Sequence, residues 1–322
     1  MDQKLNDIRS VMFRTMEAKS YTYEEFPASD LTAPHGTEIE IDPRQRSVHA
    51  LPLREYARTA DRGLHIRFLQ PSFVAEEMIE SESFPILFFI QGSGWRWQNV
   101  ESNICSLGKV AAHGFIVAMI EYRGSECEPF PAQLLDVKRA IQYVRAHASE
   151  VHGDPDQLIL WGGSSGGHLA ALTAVSEAAG AWKLENSDAF LPAVKGVIDF
   201  YGPVNLLSMA DQLSAKDHAG AQSITGQLLG GVVVQENPQR ARQASVTTYI
   251  GKAPLPPFLI VHGDKDRSVP MAQSIELVEA LLKENHEVDW IKVKNADHGG
   301  AGIWNDVILD RCLEKIQLWL GH

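Results

Sequence analysis

The residues of this chain best suited to chemistry stand in Trp161-Gly162-Gly163-Ser164-Ser165-Gly166-Gly167-His168. Apolar Leu158-Ile159-Leu160 precedes them and Leu169-Ala170-Ala171-Leu172 follows. A buried strand that runs into glycines and serines and then directly into a helix is the setting in which G-x-S-x-G forms a strained turn with an exposed hydroxyl. Glycine is needed two residues either side, because a Cβ there would collide with the turn and with an approaching substrate. The pattern occurs in two registers, Gly162-Gly163-Ser164-Ser165-Gly166 with Ser164 as nucleophile and Gly163-Ser164-Ser165-Gly166-Gly167 with Ser165. A phosphate loop or a dinucleotide fingerprint would also be glycine-rich. No Gly-Lys-Ser/Thr closes a P-loop here, however, and no G-x-G-x-x-G opens the first strand–helix unit.

A serine nucleophile needs a base to take its proton and a carboxylate to orient that base. Two acids, Asp264 and Asp266, stand just past the apolar run Phe258-Leu259-Ile260-Val261. Asn295-Ala296-Asp297-His298-Gly299-Gly300 follows the next such run. Of the 12 histidines, His298 combines a strand-end loop, flanking glycines and the order serine, acid, histidine that this arrangement uses. His262 at a strand tip and His168 at the helix start read as structural, and Asp297 is expected to point away from the histidine. The charge that develops on attack needs preorganised N–H donors, one from the residue after the nucleophile and others from an earlier strand-end loop. Gln91-Gly92-Ser93-Gly94-Trp95 is that loop. Gln91, Trp95 and Trp97 are the expected pocket residues, since aromatics beside a catalytic loop favour apolar or ring-bearing ligands.

The elements that must position these groups alternate. Strands are predicted over 65–69, ending at Gln70-Pro71, and over 85–90, 115–120, 158–161, 194–200, 257–261 and 288–293. Helices are predicted before Gly114 and over 136–147, 271–282 and 307–320. Such alternation implies a mostly parallel sheet covered on both faces, with ligands beyond the carboxyl ends of the strands. Residues 1–48 read as an N-terminal arm with an amphipathic helix over 7–19, a candidate for capping the site or pairing two copies. Residues 49–322 read as the main domain, and the strandless stretch 204–255 as a cap insertion, because a long insertion in a compact domain is usually functional.

Composition bounds the rest. The chain has 322 residues, 44% hydrophobic and 22% charged, with a net charge of −12. That acidity argues against nucleic acid as a partner. Three cysteines, Cys105, Cys127 and Cys312, form no C-x-x-C and suggest neither a disulfide framework nor a zinc site. Cys105 and Cys312 are expected to be core thiols. No signal peptide and no membrane span is apparent, so a reduced cytoplasm is the expected location, with no metal or organic cofactor.

With these pieces placed, the chain resembles the α/β-hydrolase superfamily, specifically the serine esterases of its hormone-sensitive-lipase-like and feruloyl- and acetyl-esterase-like branches, over roughly residues 60–320. Those elbows read G-x-S-A-G-G, which puts Ser164 in the nucleophile place and leaves Ser165 to supply an oxyanion N–H. Their H-G-G-G-[FW] loop is similar to Gln91-Gly92-Ser93-Gly94-Trp95, with glutamine for histidine and serine for the middle glycine, and implies N–H donors at Ser93 and Gly94. His262-Gly263-Asp264-Lys265-Asp266-Arg267-Ser268-Val269-Pro270 resembles H-G-x-x-D-x-x-V-P and selects Asp266. Asp297-His298-Gly299-Gly300 resembles D-H-G-G, and Glu121-Tyr122-Arg123 and Phe130-Pro131-Ala132 resemble structural turns of the branch. The resemblance implies hydrolysis of short-chain or aromatic acyl esters through an acyl-enzyme. The alternatives are amide or peptide cleavage of the prolyl-oligopeptidase type, whose propeller cannot be built from about sixty N-terminal residues, and ligand binding without catalysis on a hydrolase fold.

Overall fold

The computed structural model describes residues 21–31, 34–60, 62–184, 190 and 193–321, so the helix expected over 7–19 lies outside the described residues. Its strands are β1 (Ser47–Ala50), β2 (Arg54–Arg58), β3 (Gly63–Ser72), β4 (Phe84–Ile90), β5 (Ile116–Ile120), β6 (Gly153–Gly163), β7 (Val194–Phe200), β8 (Phe258–Gly263) and β9 (Val288–Val293). The helices are α1 (Ile104–Ala112), α2 (Ala132–Ala146), α3 (Ser165–Ala178), α4 (Leu206–Asp211), α5 (Ile224–Leu228), α6 (Pro238–Gln243), α7 (Ala272–Lys283) and α8 (Asp306–Leu320). The strands form one sheet in the order β1-β3-β5-β4-β6-β7-β8-β9, with β2 also on β3. Pairing is parallel from β5 through β9 and antiparallel around β3.

The central strands read as near-continuous apolar runs because both faces are covered. In β4, Ile86, Phe88 and Ile90 pack with α2 and α3 on one face, while Leu87 and Phe89 pack with α1 and α8 on the other. Burying each such side chain contributes about 1.5–3 kcal/mol. This two-sided packing fixes the carboxyl ends of β4, β6, β8 and β9 on one rim of the sheet, where the polar loops lie.

Several boundaries differ from expectation. Strand β3 continues through Pro71 instead of stopping before it. Its pairing to β5 ends at Leu69 and only β1 accompanies Pro71, so the missing N–H falls where a one-sided strand tolerates it. Strands β1 and β2 are short and largely exposed, which left no alternating apolar signal to read. Cys105 is exposed rather than in the core, because the buried face of α1 is Leu107, Val110 and Ala111. Residues 204–255 carry α4, α5 and α6 and, among the described residues, no strand. Leu228, Val234, Ala241 and Val246 of that segment are buried in the same apolar cluster as Phe88 and Leu169. Among the described residues, no helix is long and apolar enough to cross a membrane.

Candidate active site

Strand β6 ends at Gly163 and α3 begins at Ser165, leaving Ser164 alone at the turn with φ 56° and ψ −126°. A positive φ strains a residue with a Cβ, by about 1–3 kcal/mol, and the surroundings hold it in place. Ser164 N–H donates to Phe200 O at 2.8 Å and its carbonyl accepts from His168 N–H at 3.0 Å. The flanking glycines are obligatory for space: a Cβ on Gly166 would stand 1.9 Å from Ile90 O, and one on Gly162 2.2 Å from Gly166.

His298, in the loop after β9, places Nε2 2.8 Å from Ser164 Oγ and Nδ1 2.7 Å from Asp266 Oδ2. The carboxylate accepts, so the proton sits on Nδ1 and leaves the Nε2 lone pair facing the serine hydroxyl. Asp266 is itself held from three further sides. Its Oδ1 accepts from Ser268 N–H at 2.8 Å and Val269 N–H at 2.9 Å. Its Oδ2 lies 3.1 Å from His262 Nε2. Burial opposes ionisation of this carboxyl, but the hydrogen bonds from His262 and His298 outweigh it and hold it well below the usual carboxylate range. His262 is fully buried, bonds Ser274 Oγ through Nδ1 at 2.7 Å and lies behind Asp266, outside the cavity lining.

The neighbouring acids do other work. Asp264 Oδ1 accepts from Asn295 N–H at 2.6 Å, tying the loop after β8 to the loop after β9. Asp297 pairs with Arg267 and accepts the N–H of His298 at 2.8 Å.

The loop after β4 departs from expectation at one donor. Ser93 N–H donates to Ser165 Oγ at 2.9 Å, so it is committed within the protein. The N–H groups of Gly94 and Ser165 have no protein acceptor among the described residues. Proton counting orders the hydroxyls around this bond. Tyr122 Oη donates to Gln91 O at 3.1 Å and Ser93 Oγ to Arg96 O at 2.5 Å. Each hydroxyl has one proton, so Ser165 Oγ is the donor in its 3.2 Å contact with Tyr122 Oη.

Of the three expected pocket residues, Trp95 alone lies on the cavity over Ser164. It is 3% exposed and held by its indole N–H, which donates to His168 Nδ1 at 3.0 Å while His168 Nε2 donates to Ala244 O at 2.7 Å. Burial pushes His168 down to about 4, so it is neutral. Gln91 and Trp97 are absent from the lining. The Gln91 carbonyl accepts from Tyr122, and the Trp97 ring lies under the Arg62 guanidinium, 3.7 Å from its centroid.

The sequence reading missed Tyr201, Trp304 and Asp199. Tyr201 (φ 45°) sets its ring 4.7 Å from that of His298, edge to face, and accepts from Trp304 Nε1 at 2.9 Å. Both rings line the cavity with Phe89, Met209, Ile224 and Val269, enclosing about 600 Å³. The available signal was an aromatic just past the end of β7. Asp199 is fully buried beneath the elbow. Its Oδ1 accepts from Gly202 N–H at 2.9 Å, and Oδ2 has no partner among the described residues. Burial pushes this carboxyl up to about 7, against the opposing Gly202 bond. Among the described residues, no cluster of three or more His, Cys, Asp or Glu is arranged to hold a metal ion.

The BD-FAE family model matches residues 74–281, a span that includes the elbow and Asp266. The chain belongs to the BD-FAE family. Among the curated relatives of this family member are the probable carboxylic ester hydrolase LipM of Mycobacterium tuberculosis, 33% identical over 61% of this chain and 44% of the relative. Esterase LipQ of the same organism is 31% identical over 66% and 50%, and the isoprenylcysteine alpha-carbonyl methylesterase ICME of Arabidopsis thaliana is 27% identical over 66% and 50%. The chain thus spans about half the length of the curated relatives it matches. A truncated carbohydrate esterase from gut microbiota superposes with a TM-score of 0.72 at 24% identity, over 86% of this chain and 98% of that one. Esterase 2 of Thermogutta terrifontis superposes with a TM-score of 0.65 at 22% identity, over 83% and 91%. With the mostly parallel sheet, these likenesses make the BD-FAE chain an α/β-hydrolase in fold.

Proposed function

We propose that this chain hydrolyses carboxylic esters through an acyl-enzyme on Ser164. The observation that carries the reading is the unbroken hydrogen-bond line from Ser164 Oγ through His298 to Asp266, at 2.8 and 2.7 Å. His298 Nε2 takes the hydroxyl proton as Oγ attacks the ester carbonyl, and the ionised Asp266 steadies the imidazolium that forms. The free N–H groups of Gly94 and Ser165 receive the developing oxyanion, Ser165 at the positive end of α3. His298 then protonates the leaving alcohol. Water, deprotonated by the same imidazole, attacks the acyl-enzyme and releases the acid. The cavity of about 600 Å³, walled by Tyr201, Trp304 and Met209, suits a short-chain or aromatic acyl group. The names of the relatives, all ester hydrolases, favour the same reaction.

The test is turnover of p-nitrophenyl esters of increasing chain length and of methyl ferulate, set against an aminoacyl p-nitroanilide. Ester hydrolysis is expected to fall by up to about 10⁶-fold in Ser164→Ala. Unchanged turnover in purified variant, or anilide cleavage in preference to esters, would overturn the proposal.

A further inference from the structure

Ester hydrolysis as proposed above leaves one charged side chain of the cavity without a task. The cavity is lined by Lys216 and by the imidazoles of His218 and His298, and by no aspartate or glutamate. The catalytic carboxylate, Asp266, is fully buried behind His298 and does not reach the cavity surface.

The lysine is presented by a fixed loop. Ala215 N–H donates to Arg267 O at 2.8 Å and Ser214 Oγ to Ser268 O at 2.9 Å. Lys216 N–H donates to Ser214 Oγ at 3.0 Å, and His218 Nε2 donates to Ser268 O at 2.7 Å. The residues on both sides of Lys216 are therefore tied to the segment that carries Asp266, through the Ala215 N–H before it and the His218 side chain after it. Asp217, the adjacent acid, is not part of the cavity lining, and its Oδ1 accepts from Ala219 and Gly220 N–H at 2.8 and 3.1 Å. No ion pair among the described residues engages the Lys216 ammonium. The first N–H of α3 opens into the same cavity at Ser165, adding the positive end of a helix dipole.

We propose that the ester cleaved at Ser164 carries a carboxylate, and that Lys216 binds this carboxylate at the cavity wall. The inference rests on the ester-hydrolase reading and adds the substrate class to it. A carboxylate on the acyl side and one on the leaving alcohol present the same chemistry to the ammonium, so the test distinguishes the two. A lysine whose stem merely covers apolar surface while its head is solvated would leave selectivity between charged and neutral esters untouched.

The experiment measures kcat/KM for two matched pairs, para-acetoxybenzoate against its methyl ester and monoethyl adipate against diethyl adipate. Wild type, Lys216→Met and Lys216→Glu are compared. The first pair carries the charge on the leaving group and the second on the acyl group. In at least one pair, the charged-to-neutral ratio is expected to fall about 3- to 10-fold in Lys216→Met, the range for an ion pair between exposed and partly desolvated. It falls further in Lys216→Glu, and the wild-type ratio declines as salt is raised from about 0.02 M to about 0.5 M. If wild type cleaves the neutral esters but the ratio is unmoved in both variants and both pairs, the anion site is refuted and ester hydrolysis stands. If wild type cleaves none of the four esters, ester hydrolysis is refuted and the anion site with it.

Discussion

Ser165→Ala probes how the loop after β4 is held. The backbone N–H of Ser165 survives the change, so the donor at the start of α3 is kept. What is lost is the acceptor of the Ser93 N–H at 2.9 Å and the donor to Tyr122 at 3.2 Å. Ser165 is 1% exposed and Tyr122 fully buried, so water does not readily replace the hydroxyl. An unpartnered N–H in such a place costs about 1–3 kcal/mol, which the loop relieves by moving Ser93 and with it the neighbouring Gly94 N–H. The upper bound is the loss of one oxyanion donor, about 10²–10³ in kcat. A fall of about 10- to 100-fold in kcat with KM little changed is therefore expected, since the Gly94 bond strengthens only in the transition state. Steady-state kinetics on p-nitrophenyl acetate measures it. Tyr122→Phe, which removes the acceptor of Ser165 and the donor to Gln91, is expected to act in the same direction, and the double variant to lose less than the sum. Wild-type kcat in Ser165→Ala, within about two-fold, would refute the positioning argument, the bound being set by the 10²-fold scale of such donors.

Two further outcomes follow from buried carboxylates. Asp199, pushed up to about 7 by burial, is an acid whose folded value is raised above its unfolded value. Its contribution is complete below about pH 4 and is lost as pH rises through about 7. Relative to Asp199→Asn, wild type is expected to lose up to about 4 kcal/mol between pH 4 and pH 8, read by urea unfolding at both; a constant difference between the two proteins would contradict the burial argument. In Asp266→Asn the amide offers His298 Nδ1 a donor or a weaker acceptor, so the tautomer that leaves Nε2 free is no longer enforced. A drop of about 10⁴ in kcat is expected near neutral pH, with circular dichroism unchanged; retention of most activity would remove Asp266 from the reaction.

The central sheet was legible because its strands are buried on both faces and read as unbroken apolar runs. Val194–Phe200 and Val288–Val293 need no shift of boundary. Strands β1 and β2, four or five residues long and without a fully buried residue, carry no such signal, and their place is set by pairing with β3. The turns bearing Ser164, Asp266 and His298 stood out because glycine-rich segments at strand ends are locally encoded. The roles of Tyr122 and Tyr201 are not local: Tyr122 meets a hydroxyl 43 residues away, and Tyr201 an indole 103 residues away. The commitment of the Ser93 N–H was hidden for a related reason. It depends on the orientation of the Ser165 hydroxyl, which only the neighbouring carbonyls at Gln91 and Arg96 determine. Gln91 begins the loop after β4 and Trp97 follows it closely, yet neither lines the cavity, a direction that spacing alone does not encode.

The most direct measurement is to label the purified protein with a fluorophosphonate and locate the adduct by peptide mass spectrometry. One adduct on Ser164 is expected, formed by wild type and lost in Ser164→Ala, while Ser165→Ala still labels on Ser164 at a reduced rate. An adduct on Ser165, or no adduct on folded wild-type protein, would contradict the assignment of Ser164 as the nucleophile.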